Sequence, residues 1–300
     1  MPEPAAVLPV SLDAASLLCE LAPPSIDEPL ERLRAERILV TGAAGSIGSA
    51  AAAALAGGRV DRLVTDLPGI DGSRPLDVRD REAIEGTLDA YRPSLILHLA
   101  GAKSAPAAET DVHNALEVNA WGTATLVAAA GRSGARVVTA STCKACDPET
   151  VYGATKLLAE RLTIAAGGSV ARLYNVVESS GNVFEAWRSL PPGEPLPVTP
   201  CSRYLITLAD ATALLLWAAV LPPGRYTIDP GEPRTIAQIA LELYPRRPQR
   251  SIPPRRGDRI AEPRCALSET IEPQFGRIER IVNRHDLTWG NPGVPPRAPP

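Results

Sequence analysis

The chain has 300 residues, 45% of them hydrophobic and 22% charged, a composition typical of a globular protein with material for a buried core. The net charge of −3 gives no electrostatic reason to expect nucleic acid or an anionic membrane surface as a partner. No apolar run approaches the roughly 20 residues of a membrane helix, and the first residues lack the basic segment of a signal peptide. The five cysteines form no compact framework, so we expect a reduced, cytoplasmic setting.

Short apolar strands alternate with longer helices from residue 37 onward, after an arm rich in proline and alanine. This alternation predicts an α/β fold, a doubly wound parallel sheet with helices on both faces. The predicted strands are 38–42, 62–66, 95–100, 136–141, 170–174 and 224–228. The predicted helices are 12–21 in the arm, then 49–56, 80–90, 112–130, 152–166, 208–220 and 236–243.

A strand, a glycine loop and a helix follow one another near residue 42, and this order is typical of a dinucleotide-binding site. Gly42 permits the tight turn, Gly45 lets the backbone approach a pyrophosphate, and Gly48 allows the helix to pack closely on the sheet. Ser46 and Ile47, between these glycines, are further predicted cofactor contacts, and the N-terminus of the following helix favours phosphate charge. The sequence therefore predicts binding of NAD, with NADP as the alternative.

The acidic residues after the loop bear on the choice between these cofactors. Asp66 ends the second strand, where a carboxylate accepts hydrogen bonds from the adenosine ribose and repels a 2′-phosphate, which favours NAD. Arg74 weakens this preference. Asp77 is a predicted adenine contact, whereas Asp80 fits the cap of the following helix.

Four regions follow from these patterns: an N-terminal arm (1–36), a Rossmann domain that binds NAD(P) (37–175), a substrate-binding region with returning Rossmann elements (176–275) and a proline-rich, poorly ordered tail (276–300). Further cofactor contacts are expected at Val78, Leu99, Ala100, Gly101 and Lys103.

Lysine occurs three times, against 28 arginines, and each lysine lies in a recognisable motif: Lys103, Lys144 and Lys156. Arginine does not readily release its proton, whereas the protonation of a lysine can be tuned by its surroundings. These lysines are therefore candidates for proton transfer or ligand binding.

Tyr152 and Lys156 lie four residues apart, on one face of a predicted helix. An ammonium near a phenol lowers the pKa of the tyrosine, which can then take a hydroxyl proton while hydride leaves the same carbon for a nicotinamide. Ser141 or Thr142, at the end of the preceding strand, would hydrogen-bond the reacting oxygen. This arrangement predicts an oxidoreductase step.

These segments together resemble the extended short-chain dehydrogenases/reductases, and within them the polysaccharide-biosynthesis branch of UDP-N-acetylglucosamine 4,6-dehydratases. The resemblance covers about residues 16–270 and is most specific in 141–160. The other matching segments are 17–27, 40–48, 98–103, 119–123, 172–183 and 254–258.

The resemblance implies a three-stage reaction on a nucleotide sugar. Tyr152 and NAD would oxidise the C4 hydroxyl, Lys144 would remove the C5 proton as the C6 hydroxyl leaves, and hydride would return to C6. In the family the residue before this lysine is an aspartate that acts as general acid, whereas this chain has Cys143. A thiol, with an ordinary pKa near 8.5, can donate a proton, but beside a lysine it can also ionise.

Other implied roles concern binding. Asn175, Arg203 and Arg255 match positions that hold the diphosphate and ribose, with Arg256 competing for the role of Arg255. Lys103 resembles a substrate-pocket lysine.

Two further residues receive supporting roles, and the helices predict an assembly. Asn119 is expected to support the catalytic helix, and His98 is interpreted as a core histidine. The helices 112–130 and 152–166 are of the kind that pair between subunits in this superfamily, which predicts a homodimer or larger homo-oligomer.

Two departures from the family pattern leave alternatives open: Cys143, and Ser104-Ala-Pro106 where the family has His-Val-Pro. The reaction could stop at a 5,6-unsaturated sugar, or the protein could be a C4 epimerase or oxidoreductase, which needs only the Tyr–Lys pair. A catalytically idle cofactor-binding protein is a third reading. The Cys143-x-x-Cys146 spacing lacks a second ligand pair for zinc, so no metal is expected.

Overall fold

The computed structural model of the chain describes residues 14–15, 19 and 21–284. The helix predicted at 12–21 falls mostly outside these residues, as does the end of the predicted tail from residue 285. The α-helices of the described residues are α1 (Asp27–Leu33), α2 (Ser46–Gly57), α3 (Arg81–Tyr91), α4 (Ala105–Thr110), α5 (Val112–Leu116), α6 (Gly122–Ser133), α7 (Val151–Ala165), α8 (Val183–Arg188), α9 (Leu208–Val220) and α10 (Ile236–Leu243).

The strands are β1 (Arg37–Thr41), β2 (Asp61–Asp66), β3 (Arg74–Pro75), β4 (Leu95–His98), β5 (Arg136–Thr142), β6 (Ser169–Leu173), β7 (Asn175–Val176), β8 (Leu196–Val198), β9 (Ser202–Arg203), β10 (Leu205–Ile206), β11 (Arg225–Ile228), β12 (Arg234–Thr235), β13 (Gln249–Ser251), β14 (Glu269–Phe275) and β15 (Ile278–Asn283).

The main sheet has the order β14-β15-β11-β6-β5-β4-β1-β2-β3. It is parallel from β3 to β11, and β15 then pairs antiparallel with β11 and with β14. The strand order reverses between β1 and β4, and in such sheets ligands bind in the crevice at the carboxyl ends of these strands. The predicted doubly wound α/β fold is confirmed.

Helices cover both faces of the sheet, which is why its strands read as continuous apolar runs. Ile38 and Val40 of β1 point into a core with α2 and α9, while Leu39 between them points into a second core with α3 and α6. A third core, around Trp187 and Ile239, holds α8, α10 and β8 together. That smaller lobe falls within the predicted substrate-binding region.

Three local predictions need correction. The tail predicted from residue 276 instead begins with β15, whose Ile278 and Ile281 are buried in the sheet. The arm contains α1, which buries Leu33 against the core. A π-helical turn, Glu117–Trp121, interrupts the helix predicted at 112–130.

Candidate active site

The glycine loop between β1 and α2 requires glycine at two positions. Gly42 has φ +68°, and a Cβ there would lie 2.6 Å from the backbone nitrogen of Ala100. A Cβ on Gly48 would lie 2.1 Å from the carbonyl oxygen of Gly42. Gly45 caps α2 in an extended conformation, so the loop brings its backbone against the N-terminus of that helix, the arrangement expected of a pyrophosphate cradle.

Asp66, at the end of β2, fixes this loop from the side. Its carboxylate accepts hydrogen bonds from the backbone nitrogens of Ala44 (2.7 Å) and Leu67 (2.8 Å). In the pairing of β2 with β3, Pro75 lies opposite Asp66 and Arg74 lies opposite the preceding Thr65. Asp66 therefore lies beside the glycine loop, and its contact with the adenosine ribose stays a prediction.

The two later aspartates take different roles. Asp77 forms a 2.6 Å ion pair with Arg79, so its predicted adenine contact would have to share the carboxylate with that guanidinium. Asp80 accepts a hydrogen bond from the backbone nitrogen of Ala83 (3.0 Å) and caps α3, as the sequence predicts. Val78 contacts Gly122 at the start of α6, where it packs the loop onto the helix.

His98, the last residue of β4, is buried between two hydroxyls. Its ring nitrogens lie 2.8 Å from Thr41 Oγ1 and 3.1 Å from Thr123 Oγ1. Burial, with a smaller contribution from the charge of Lys156, lowers the pKa of His98 to about 3. The geometry is that of a core histidine that stays neutral.

The buried His98 predicts a pH dependence of stability. Its pKa is about 3 in the folded chain against 6.5 ordinarily, so the unfolded chain binds more protons between these values, and the free energy of unfolding rises with pH across that window. We expect a contribution of about 1.4 kcal/mol per pH unit, lost as the solution is acidified below 6.5. Urea denaturation of His98→Gln should give a correspondingly flatter pH dependence. The exposed His113→Gln is the matched control, and equal slopes for the two variants would refute the assignment.

Asn119 lies in the π-helical turn and ties the loop after β4 to α7. Its amide oxygen accepts from the Ala102 nitrogen (2.9 Å), and its amide nitrogen donates to the Ala102 carbonyl (3.2 Å) and Thr155 Oγ1 (3.1 Å). The residue is buried. Its contacts match the predicted role as a support for the helix that carries Tyr152 and Lys156.

α7 carries Tyr152 and Lys156 one turn apart, and its first turn is capped by Thr150, which accepts from the Gly153 nitrogen (3.1 Å). A Cβ on Gly101 would lie 3.9 Å from Lys156 Nζ, so the ammonium reaches the end of β4 beside the glycine loop. Burial lowers the pKa of Lys156 to about 8, against the opposing charge of Glu160.

Burial raises the pKa of Tyr152, and the positive charge of Lys144 opposes this rise. The sequence predicts that Lys156 lowers the pKa of Tyr152, but the pKa is raised, and the lysine that opposes the rise is Lys144, just after β5. The predicted lowering is wrong because burial of the phenol outweighs the nearby positive charge.

Of the two hydroxyls predicted to hold the reacting oxygen, Ser141 has another partner. Its Oγ donates to Glu160 (2.6 Å), which forms a buried ion pair with Arg172. Alternation along β5 turns Thr142 the other way, where its Oγ1 accepts from the Lys144 nitrogen (3.3 Å). Thr142 is therefore the hydroxyl next to Lys144, whereas Ser141 is held by Glu160 of α7.

Lys144 contacts two groups that the chain brings from distant segments. Its Nζ lies 2.6 Å from Glu262 Oε1 and 3.2 Å from Asn175 Oδ1. Glu262 Oε2 accepts from the Cys143 thiol (3.2 Å) and from Asn175 Nδ2 (2.6 Å). Asn175, predicted on the substrate side, is therefore part of the same cluster as Lys144.

The charges in this cluster set its protonation states. Burial raises the pKa of Cys143, and the Glu262 carboxylate raises it further, so of the two predicted forms the thiol prevails over the thiolate. Burial alone would lower the pKa of Lys144, but Cys143 and Glu262 outweigh it and the pKa is raised. Burial alone would raise the pKa of Glu262, but Lys144 and Arg203 outweigh it and the pKa is lowered. Lys144 and Glu262 therefore form a buried ion pair.

The remaining predicted binding residues surround this cluster. Arg203 Nε lies 3.3 Å from Glu262 Oε1, and its Nη1 donates to the Arg259 carbonyl (2.7 Å). Arg255 is 65% exposed and pairs with Asp258, and Arg256 is likewise exposed. Arg255 and Arg256 thus keep their side chains accessible, while Arg203 is held by protein groups.

Lys103 reaches the glycine loop through a residue that the sequence reasoning missed. Its Nζ donates to the carbonyl (3.2 Å) and Oγ (2.8 Å) of Ser180, whose backbone nitrogen donates to Ser46 Oγ (3.1 Å). Ser180 therefore joins Lys103 to Ser46 at the start of α2. Glu262 was also missed, although it follows the matching segment 254–258 by only four positions.

The described part of the chain contains neither a cluster of metal-binding side chains nor a helix that could span a membrane. Within residues 14–15, 19 and 21–284, no group of three or more His, Cys, Asp or Glu side chains could hold a metal ion. None of the described helices combines the length and apolarity needed to cross a membrane.

Comparison with protein families places the chain. A family model described as polysaccharide biosynthesis protein matches residues 74–274, more than half of the chain. The probable polysaccharide biosynthesis protein EpsC of Bacillus subtilis is 30% identical over 71% of this chain and 41% of its own length. The UDP-N-acetylglucosamine 4,6-dehydratase (inverting) of Campylobacter jejuni is 29% identical over 62% of this chain and 60% of its own. The chain thus spans less than two thirds of the length of these curated relatives.

Comparison with solved structures agrees on the fold. The Thermus thermophilus UDP-glucose 4-epimerase, solved in complex with NAD, has a TM-score of 0.69 at 23% identity, over 75% of this chain and 89% of that one. At this level of identity the likeness establishes the Rossmann-type fold alone.

Proposed function

The chain belongs to the polysaccharide biosynthesis protein family, and on that premise we propose that it is an NAD-dependent nucleotide-sugar dehydratase. The proposed substrate is a UDP-N-acetylhexosamine. The observation that carries the proposal is the contact of Lys144 with Asn175 and Glu262, beside a Tyr152–Lys156 pair that follows a dinucleotide-type glycine loop. This second buried lysine supplies a base for C5, which oxidation at C4 alone does not need.

The cofactor site fits NAD by the shape of its cradle. A Cβ at Gly42 would collide with the backbone of Ala100 and one at Gly48 with the loop itself, and no side chain of the described residues caps the N-terminus of α2, so its backbone is open to a pyrophosphate. Asp66 would hold the ribose hydroxyls, and Lys156 the nicotinamide end. When bound, NAD supplies the hydride acceptor for C4 and the donor for C6.

The protein's own residues supply the proton transfers. Tyr152 takes the C4 hydroxyl proton, with Thr142 hydrogen-bonded to the same oxygen. The C4 ketone then acidifies the C5 proton, which Lys144 removes. The C6 oxygen leaves with a proton, because hydroxide is a poor leaving group. Arg255 or Arg256, which remain exposed, would bind the diphosphate.

A specific observation supports a second candidate, a C4 epimerase or oxidoreductase of nucleotide sugars. Cys143 stands where the resembled dehydratases have an aspartate, and its pKa is raised by burial, so the thiol is a weak acid. Such a site could also dehydrate the sugar and stop at a 5,6-unsaturated product.

Product mass separates these readings. We expect UDP-N-acetylglucosamine, incubated with the protein and sub-stoichiometric NAD, to lose the mass of one water while the cofactor is recycled. An isomer of unchanged mass would identify an epimerase, and consumption of one NAD per sugar an oxidoreductase. A panel of nucleotide sugars without any reaction would refute the enzymatic proposal.

The cofactor preference depends on the Asp66 charge. Asp66→Asn keeps an oxygen acceptor for the Ala44 nitrogen but removes the charge that repels a 2′-phosphate. We expect the ratio of NADP to NAD affinity to rise roughly tenfold, as the loss of one close charge repulsion predicts. Fluorescence titration with both cofactors measures this, with Asp61→Asn at the opposite end of β2 as the control. An unchanged ratio would remove Asp66 from the ribose site.

We also propose a homodimer formed through α5, α6 and α7. Trp121, in the π-helical turn, is 60% exposed, and Leu158 on the adjacent α7 is 48% exposed, so both present apolar surface to solvent in the single chain. Sedimentation at micromolar concentration should give at least a dimer, and Trp121→Glu should shift it to the monomer. A wild-type protein that sediments only as a monomer would contradict this assembly.

A further inference from the structure

A carboxylate is present at the catalytic lysine although position 143 is a cysteine. The side chain of Glu262 is 0% exposed, and its two oxygens contact the thiol of Cys143 (3.2 Å) and the ammonium of Lys144 (2.6 Å). The carboxylate therefore contacts both Cys143, where this chain departs from the dehydratases it resembles, and Lys144, where it agrees with them.

Among the described residues, the polar contacts of Glu262 are all with residues of this site. It lies 119 residues after Cys143, and the chain returns it to the end of β5. Its other partners are Asn175 Nδ2 (2.6 Å) and Arg203 Nε (3.3 Å). A buried carboxylate with four such partners has a defined position, unlike a solvated surface charge.

We propose that Glu262 supplies the carboxylate that position 143 lacks, as a positioning residue that stores a proton for Lys144 during elimination. The inference rests on the dehydratase function proposed above. The side chain of Lys144 is 14% exposed and that of Glu262 is 0% exposed, so Lys144 is the member of this pair that a bound sugar can reach.

Lys144 and Glu262 together carry the protons that move during the elimination. Lys144 passes one proton to Glu262 Oε1, and the resulting amine takes the C5 proton. The C5–H electron pair forms the C5–C6 double bond as the C6–O bond breaks, and the Lys144 ammonium protonates the departing oxygen to give water. Glu262 then returns its stored proton to Lys144, which restores the ion pair. When hydride returns to C6, Lys144 gives a proton to C5 and regains one from solvent, to which Tyr152 releases the C4 hydroxyl proton.

The surrounding charges support an ion pair at rest. Lys144 has a raised pKa and Glu262 a lowered one, so the ammonium cannot act as a base until its proton has an acceptor. The titratable and charged groups that face Glu262 are Cys143, Lys144, Tyr152, Arg203 and the more distant Asp258, which lies beside Arg203.

The test is the pH profile of single-turnover dehydration of UDP-N-acetylglucosamine. In wild type the rate should be level across the neutral range, because the proton moves within the pair. In Glu262→Gln the Lys144 proton has no carboxylate to accept it, so the rate should be lowest at the acid end of the range and climb as pH rises, with a midpoint at the pKa of Lys144, which burial lowers once Glu262 is gone. Formation of reduced nicotinamide, which reports C4 oxidation, should change less than about threefold, because the proton transfer assigned to Glu262 follows that step.

Further variants separate the proton role from folding. Glu262→Asp should restore a level profile, and Cys143→Asp combined with Glu262→Gln should recover at least about tenfold of the lost rate. Glu269→Gln, which removes a buried carboxylate paired with Arg172, is the matched control and should leave the profile level.

The outcomes separate the two proposals. A wild-type protein that dehydrates, with a Glu262→Gln variant of unchanged rate and profile, would overturn the Glu262 role alone. A wild-type protein that removes no water from any nucleotide sugar would overturn the proposed function, and the role of Glu262 with it.

Discussion

Replacing Tyr152 by phenylalanine is expected to lower the turnover of UDP-N-acetylglucosamine by about 10³-fold, the middle-to-upper range for loss of a positioned acid–base group. Phenylalanine keeps the aromatic ring in the first turn of α7 but removes the oxygen that accepts the C4 hydroxyl proton. Because oxidation at C4 precedes every later step, no reduced nicotinamide should form in a single turnover. Product mass measures the turnover, and absorbance measures the formation of reduced nicotinamide.

The control for this substitution is Tyr91→Phe. Tyr91 lies at the end of α3, its hydroxyl bonded to Asp61 (3.1 Å) and away from the cleft. Its removal should leave turnover within about twofold, as for a surface contact worth a few tenths of a kcal/mol. A Tyr152→Phe variant that retains more than about a tenth of the wild-type rate would mean that another group accepts the C4 proton.

Replacing Lys144 by glutamine should separate the two halves of the reaction. Glutamine keeps a hydrogen-bond donor for Glu262 but cannot accept the C5 proton, so oxidation at C4 should continue while water loss falls by about 10³-fold. Reduced nicotinamide should therefore accumulate and persist, which stopped-flow absorbance detects.

Lys103→Gln provides the contrast to this variant. Lys103 contacts Ser180 and is proposed to act in binding alone, so its loss should raise KM and leave kcat nearly unchanged. Rapid dehydration by Lys144→Gln would show that the base at C5 lies elsewhere in the cleft.

The parts of the fold that sequence predicts are those that depend on local patterning. The glycine loop, α9 and α10 are fixed by neighbouring residues: Gly42 by its left-handed backbone, and the two helices by capping boxes at Thr207 and Thr235. The hairpin β14–β15 was not predicted, because β14 exposes most of its residues and β15 buries only Ile278, Ile281 and Asn283.

The same distinction applies to the site. Tyr152 and Lys156 share one helix, so their proximity follows from spacing alone. Glu262 meets Lys144 only because the chain returns after more than a hundred residues, and no periodicity encodes such a contact. The choice of Thr142 over Ser141 depended on which face of β5 each side chain takes, and the partner that decided it, Glu160, comes from α7.

The most direct test of the central claim is the reaction of UDP-N-acetylglucosamine with the protein and NAD in D₂O, followed by mass spectrometry and proton NMR of the sugar. We expect a product that has lost one water and carries deuterium at C5, because the proton removed there leaves in the water and the one that Lys144 later gives to C5 has exchanged with solvent. A product that keeps its C6 oxygen, with an inverted C4 or an unexchanged C5 proton, would contradict it.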